Sequence, residues 1–258
     1  MLTFRNTNIF FAILVFVLIS LQVGKVQIPF YYYLILLFVY SLVLFYGSYY
    51  VLSQFYFPVM GQSDTQEKEI AISFDDGPLP QYTNDVLAVL EKTNTPATFF
   101  CIGHRVEKHP ELLQKIHAAG HVIGNHSYSH SPVFDLYGAK KMTDDLQQMN
   151  AGVRQQLGIT LKLFRPPYGV TNPNLGKAVK AGGFTAVGWS IRSMDTVTKD
   201  PDRLLKKVLK SLHPGAVVLF HDTCASTASM LEEFINEARR EGYRVVPLDK
   251  MLNLKAYA

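Results

Sequence analysis

The first 61 residues contain no aspartate and no glutamate, and their only charged side chains are Arg5 and Lys25. A water-soluble fold carries charges of both signs on its surface, so this stretch cannot be an ordinary soluble domain. Cysteine is nearly as scarce. Cys101 and Cys224 are the only two in 258 residues, too few for a disulfide framework and in no metal-knuckle spacing, so both read as free buried thiols. A one-sided charge balance is missing too: removing Arg5 and Lys25 from the 25 basic residues leaves 23, against 21 acidic ones. That balance excludes a nucleic-acid footprint. No internal repeat or low-complexity segment is present.

What the first stretch does have is apolar length. Residues 9–23 form an uncharged run near the lower limit for crossing a bilayer, and residues 28–60 form a longer, aromatic-rich run without charge. Two transmembrane helices are expected, about 8–24 and 29–53, with Lys25 and Pro29 at their tight connection. The aromatic clusters at 31–33 and 46–57 suit the water-lipid boundary. A hairpin of this kind puts both its ends on one side of the bilayer. The alternatives are a cleaved signal peptide followed by one anchor, or a buried helical hairpin packed on the soluble domain; Ala-x-Ala spacing, which cleavage would need, is missing after the first run. The chain therefore divides into a membrane anchor over 1–61 and a mixed-charge domain over 62–258.

In the second part, apolar strands alternate with amphipathic helices. Strands are expected at 69–74, 97–102, 121–124, 161–164, 184–190, 216–220 and 243–247, and helices at 80–92, 110–119, 141–157, 173–181, 201–212 and 229–241. Alternation implies a parallel sheet. The fold class is α/β, a (β/α) barrel of TIM type with seven strands and some distortion, the alternative being an open doubly wound sheet.

Chemistry gathers where strands end. Ser73-Phe74-Asp75-Asp76-Gly77-Pro78 offers adjacent carboxylates, and Asn125-His126-Ser127-Tyr128-Ser129-His130 offers imidazoles four residues apart. Alone, an Asp-Asp pair is most often a turn or cap, and two histidines in a loop most often do nothing. Together they supply the Asp-His-His count that a catalytic zinc takes while keeping a position open for water. Three further stretches also close strands: Arg165-Pro166-Pro167-Tyr168-Gly169, residues 189–195 from Trp189 to Asp195, and Leu219-Phe220-His221-Asp222.

With these five patterns in order, the chain resembles the polysaccharide deacetylases of the NodB-homology group, carbohydrate esterase family 4, over about residues 67–250. The resemblance implies that Asp76, His126 and His130 bind a divalent metal, and that Asp75 is the general base acting on its water. Zinc is the first expectation, although cobalt, nickel or manganese would fit the same donors. It further implies that the N–H of Tyr168 stabilises the oxyanion, that His221 is the general acid oriented by Asp195, and that Arg165 holds Asp75 ionised. Leu219 and Trp189 would wall the acetyl methyl. One departure stands out: where the family often has Asp-x-x-Asp-Trp, this chain has Arg192-Ser193-Met194-Asp195-Thr196. Arg192 puts a positive charge near the mouth that suits an anionic group on the substrate.

The implied function is removal of N-acetyl groups from N-acetylhexosamine residues of a peptidoglycan-like cell-envelope glycan. The alternatives are a deacetylase or deformylase of a lipid-linked sugar, and a non-catalytic glycan-binding relative. The expected partners are the N-acetylated glycan and the lipid bilayer. Charge bias slightly favours a cytoplasmic amino terminus, whereas such a substrate puts the catalytic domain on the extracytoplasmic side.

Overall fold

The first apolar runs fold as two long helices, α1 (Phe4–Val23) and α2 (Tyr31–Tyr49), in a computed structural model that describes residues 2–258. Each is long and apolar enough to cross a membrane. They run antiparallel, and their polar side chains pair with each other: Tyr40 Oη donates to Asn8 Oδ1 and Tyr33 Oη to Gln22 Oε1, both at 2.8 Å. Within these helices only Thr7 and Gly47 are buried, and large apolar side chains such as Phe16 and Phe38 are exposed. This is not a core hairpin packed on a soluble domain.

The hairpin is nevertheless fastened to the connector that leads into the soluble domain. The Phe4 N–H donates to the Phe55 carbonyl at 2.9 Å, which returns the amino-terminal end to the side where the chain continues. Gly47 permits the close approach, since a Cβ there would lie 2.2 Å from the Phe55 ring. Val51, Phe55 and Val59 are buried, and Val51 and Val59 share a core cluster with Phe164, Leu175 and Phe184.

Beyond the connector the expected alternation appears. The strands are β1 (Glu69–Asp75), β2 (Thr98–Cys101), β3 (Val122–Asn125), β4 (Leu163–Phe164), β5 (Thr185–Ala186), β6 (Ile191–Arg192), β7 (Ala216–His221) and β8 (Arg244–Val245). The helices are α3 (Thr83–Lys92), α4 (Gly103–Lys108), α5 (Pro110–Ala118), α6 (Ala139–Leu157), α7 (Pro173–Gly182), α8 (Pro201–Lys210), α9 (Ala225–Arg240) and α10 (Leu248–Met251). All strand pairs are parallel, in the order β5-β4-β3-β2-β1-β7-β6, with β8 pairing the start of β1. The central strand β1 is buried from Ile70 to Asp75, as expected for a strand covered on both faces. Phe74 lies between Phe99 and Phe220, with ring centroids 5.0 and 6.1 Å away. Burying one such phenylalanine contributes about 1.5–3 kcal/mol.

The helices start where their caps say. Asp200 Oδ1 accepts the N–H groups of Asp202 and Arg203 at the head of α8, and Asn172 Oδ1 accepts that of Leu175 at the head of α7. In both, proline comes directly after the cap, where its missing N–H costs nothing.

The sheet curls into the distorted barrel expected. Its two edge strands, β5 and β6, are separated in sequence by only four residues, 187–190. Here the structure differs from the single strand expected over 184–190. The carbonyls of Val187 and Gly188 turn inward to accept bonds from the Arg165 guanidinium at 3.3 and 2.8 Å, so the ladder breaks and resumes at Ile191 against β7. The connector fills the break: Met60 bridges in parallel to Val187, donating to the Ala186 carbonyl and accepting from the Gly188 N–H. The strands at 161–164 and 243–247 shorten to two residues each. Helix α4 was not expected. Its polar sequence carries no long apolar stripe, and its first N–H is instead held by the Ser127 carbonyl.

Candidate active site

A cavity of about 210 Å³ opens at the carboxyl ends of the strands and is lined by Asp75, Asp76, His126, His130, Tyr168, Trp189, Arg192, Leu219 and His221, among others. Neighbours on a strand point to opposite faces. Asp76 escapes this by adopting a left-handed backbone, φ 72°, as β1 ends, so both carboxylates reach the same cavity.

Asp75 is buried and fixed from below. Its Oδ1 accepts from Arg165 Nη1 at 2.8 Å, and the same nitrogen donates to Ser73 Oγ at 2.8 Å. Arg165 is fully buried and stacks over the Phe100 ring at 4.1 Å. Burial works against its charge, but Asp75 and two backbone carbonyls compensate, and a guanidinium does not deprotonate in proteins. Asp75 thus faces a permanent cation.

The two histidines sit on a loop rather than a helix. Asn125 Oδ1 accepts the Ser127 N–H at 2.8 Å, and the Asp145 carboxylate of α6 accepts those of Tyr128 and Ser129 at 2.7 and 3.2 Å. Ser127 Oγ then accepts the His130 N–H at 2.8 Å. The Arg165 carbonyl lies 2.9 Å from His126 Nδ1. A carbonyl only accepts, so this nitrogen carries the proton and Nε2 is left as the ligand atom.

Asp76 Oδ1 lies 3.5 Å from His126 Nε2 and 3.3 Å from His130 Nε2, and the three ligand atoms fall within 4.8 Å of one another. A tetrahedral cation with bonds of about 2.1 Å separates its ligands by about 3.4 Å. The triplet fits one divalent ion. Burial opposes the Asp76 charge, yet the hydrogen bond and charge of His126, with the neighbouring histidines, hold its carboxyl well below the usual range. Burial, helped by the His126 charge, lowers His130 to about 4 and so keeps it neutral, as a ligand must be. Burial also opposes charge on His126, but Asp75 and Asp76 outweigh it and raise that ring; a cation would take the place of its proton.

On the neighbouring strand β7, in register with Asp75, His221 Nδ1 lies 2.7 Å from Asp195 Oδ1, and its Nε2 is 3.9 Å from Asp76 Oδ2. Asp195 is fully buried, and its Oδ2 accepts from the His221 N–H at 2.7 Å and from Thr227 Oγ1 at 2.6 Å. Burial disfavours charge on His221, but the hydrogen bond and charge of Asp195 more than offset it and raise the ring to about 9. A protonated imidazole therefore faces the cavity at neutral pH.

Tyr168 stands in the turn after β4 with φ 58°, its ring exposed and its Oη donating to the His130 carbonyl at 3.2 Å. The next residue must be glycine, because a Cβ on Gly169 would lie 2.4 Å from the Trp189 ring. Leu219 and Trp189 supply apolar wall, and Arg192 projects at the rim beside Trp189, 5.8 Å from its ring centre. Every side chain expected in the site thus lines the cavity or supports one that does.

The supporting residues were not anticipated. Ser73, Asn125, Asp145 and Thr227 hold the reactive groups through bonds that cross between elements. Asn125 and Ser73 had one signal each, their places just ahead of His126 and Asp75 in the two chemical stretches; Asp145 and Thr227 had none. Asp222 is also new: its Oδ2 accepts from Thr83 Oγ1 at 2.6 Å, and burial raises its carboxyl to about 7.

A family model described as polysaccharide deacetylase matches residues 62–187. The chain is 33% identical over 193 residues to the peptidoglycan-N-acetylmuramic acid deacetylase PdaA of Bacillus subtilis, covering 73% of each protein. It is 34% identical over 197 residues to a peptidoglycan-N-acetylglucosamine deacetylase of Bacillus cereus, covering 73% of this chain and 90% of that one. Among solved structures, the Bc1960 peptidoglycan N-acetylglucosamine deacetylase superposes with a TM-score of 0.74 at 29% identity, covering 78% of this chain and 95% of that one. The chain belongs to the polysaccharide deacetylases, the NodB-homology family of carbohydrate esterase family 4.

Proposed function

We propose that this deacetylase is a membrane-anchored, divalent-metal enzyme that hydrolyses the N-acetyl group of N-acetylhexosamine residues in a peptidoglycan-like cell-envelope glycan. The observation that carries it is the approach of Asp76, His126 and His130 to within 4.8 Å, with Asp75 and His221 lining the same cavity. Asp76, His126 and His130 would hold the ion, for which zinc is the first candidate. When bound, such an ion polarises the amide carbonyl and makes water a competent nucleophile near neutral pH.

The chain's own groups do the rest. Asp75, held by Arg165 at 2.8 Å, accepts the proton of the attacking water. The N–H of Tyr168 donates to the oxygen that becomes negative as the carbonyl carbon turns tetrahedral; a donor of this kind is worth about a hundredfold or more in rate. His221, oriented by Asp195, then donates its proton to the departing amine nitrogen, so the products are acetate and a free amino sugar. Leu219 and Trp189 enclose the methyl group.

In this reading α1 and α2 cross the bilayer as a hairpin, residues 1–61 form the anchor, and residues 62–258 form the catalytic domain on the extracytoplasmic side. The Phe4–Phe55 bond supports placing the amino terminus on that same side, against the weak bias of Arg5. The experiment is acetate release by the full chain in detergent from a panel of N-acetylated glycans, with and without chelator. Chelator-sensitive release supports the reading, and absence of release from every glycan and from a lipid-linked N-acetylhexosamine alike refutes it.

A further inference from the structure

The catalytic cavity does not end at Arg192. A second cavity of about 310 Å³ lies on the other side of Trp189 and Arg192 and is lined by Tyr49, Tyr50, Leu52, Gln62, Ser190 and His213, among others. Trp189 and Arg192 line both spaces, so the two are neighbours across one wall. Arg192 is exposed and makes no ion pair among the described residues; its guanidinium fork matches phosphate geometry.

The far wall of this second cavity is the end of α2. Tyr49 is the last residue of that helix, whose 19 residues span about 28 Å, close to the thickness of a bilayer's hydrocarbon core. Tyr49 and Tyr50 are exposed aromatics at the level where tyrosines meet headgroups. The same helix end is bonded to the catalytic face: the Thr171 N–H donates to the Ser48 carbonyl at 3.0 Å, and Thr171 Oγ1 donates to the Gly47 carbonyl at 2.9 Å. Thr171 lies only three positions after Tyr168. The catalytic mouth is thereby tied to the membrane surface, with an uncompensated cation between the reacting amide and the headgroup layer.

We propose that the second cavity is a phosphate subsite, and that the substrate is an N-acetylhexosamine joined through phosphate to a membrane lipid, deacetylated at the bilayer before it enters a finished glycan. The inference rests on the N-deacetylase chemistry of that reading and moves its substrate from the finished glycan to the lipid-borne precursor. A finished strand presents no phosphate at headgroup depth, whereas a lipid-borne sugar places one there by construction. Arg192 holds the phosphate, Trp189 separates it from the acetyl pocket, and the Tyr49–Tyr50 end of α2 abuts the lipid.

The test uses the full chain in nanodiscs with three substrates: an N-acetylhexosamine disaccharide, its methyl-phosphate derivative, and its polyprenyl-phosphate derivative. The polyprenyl form should exceed the free disaccharide at least tenfold in kcat/KM, the methyl phosphate falling between, and Arg192→Ala should abolish the advantage conferred by phosphate, with Arg192→Lys restoring part of it. Binding of the polyprenyl form to the chelated chain should weaken about tenfold in Arg192→Ala. Equal kcat/KM for all three substrates, equal values for the methyl and polyprenyl phosphates, or an Arg192→Ala loss of the same factor on every substrate would overturn it. Arg192-dependent binding of the polyprenyl form without acetate release from any substrate would refute the deacetylase reading while supporting the subsite.

Discussion

Two carboxylate–cation pairs stand side by side where β1 and β7 end, Asp75 being in register with His221, and they differ in whether the cation can lose its proton. Asp75 is paired with Arg165, fully buried and permanently charged; Asp195 is paired with His221, whose ring is raised to about 9 and can still give up its proton. The first arrangement fixes a charge and leaves the carboxylate free to accept a proton. The second stabilises a proton on the imidazole and aims it. In the proposed mechanism one fold thus obtains a base and an acid from the same interaction by changing the partner.

Breaking the first pair should have the largest effect. Arg165→Met leaves the buried Asp75 carboxylate uncompensated, and removal of one member of such a pair costs about 3–5 kcal/mol. Denaturant unfolding of the full chain should register a loss of that size together with loss of activity. Asp75→Asn removes the proton acceptor, so turnover should fall on the order of 10²–10⁴-fold, and because it leaves the buried Arg165 guanidinium without its counter-charge the unfolding free energy should fall as well, by up to about the same 3–5 kcal/mol.

The pairs separate further with pH. His221 is raised in the folded state from its ordinary 6.5 to about 9, so its contribution to stability is complete below about pH 6.5 and disappears as pH rises through about 9. Across that window the chelated protein should lose at most about 3 kcal/mol of unfolding free energy from this source, and Asp195→Asn should flatten the slope. The Arg165 pair gives no such slope, because the guanidinium has no proton to lose there. A parent protein with a flat profile would collapse the distinction between the pairs. The smallest effect is expected one step further out. Asp145→Ala frees the Tyr128 and Ser129 N–H groups and loosens the histidine loop, and a zinc titration should find affinity lowered about tenfold, as for other supports of ligating side chains.

How legible each feature was in the sequence depends on how it is encoded. The groups that line the cavity stand in short contiguous stretches at strand ends, so the convergence of Asp75, Asp76, His126, His130 and His221 could be expected from the sequence. The alternation of strands and helices gave the curled parallel sheet for the same reason: periodicity is local. The illegible features depend on contacts between distant residues. The break between β5 and β6 arises because Arg165 takes the carbonyls of Val187 and Gly188, and nothing around position 188 announces that. Composition divides the chain near residue 61, yet Val51 and Val59 pack into the core beyond it, because apolar residues look alike whether they meet lipid or protein. Asp145 and Thr227 support the site from helices whose sequences read as ordinary amphipathic surfaces.

The central claim is that three side chains distant in sequence share one cation, and its most direct test is the number of divalent ions bound per chain. The parent protein, equilibrated with zinc and freed of excess, should hold one tightly, and Asp76→Asn, His126→Gln and His130→Gln should each lose it while remaining folded. Undiminished retention of that ion by any one of the three variants would contradict the account.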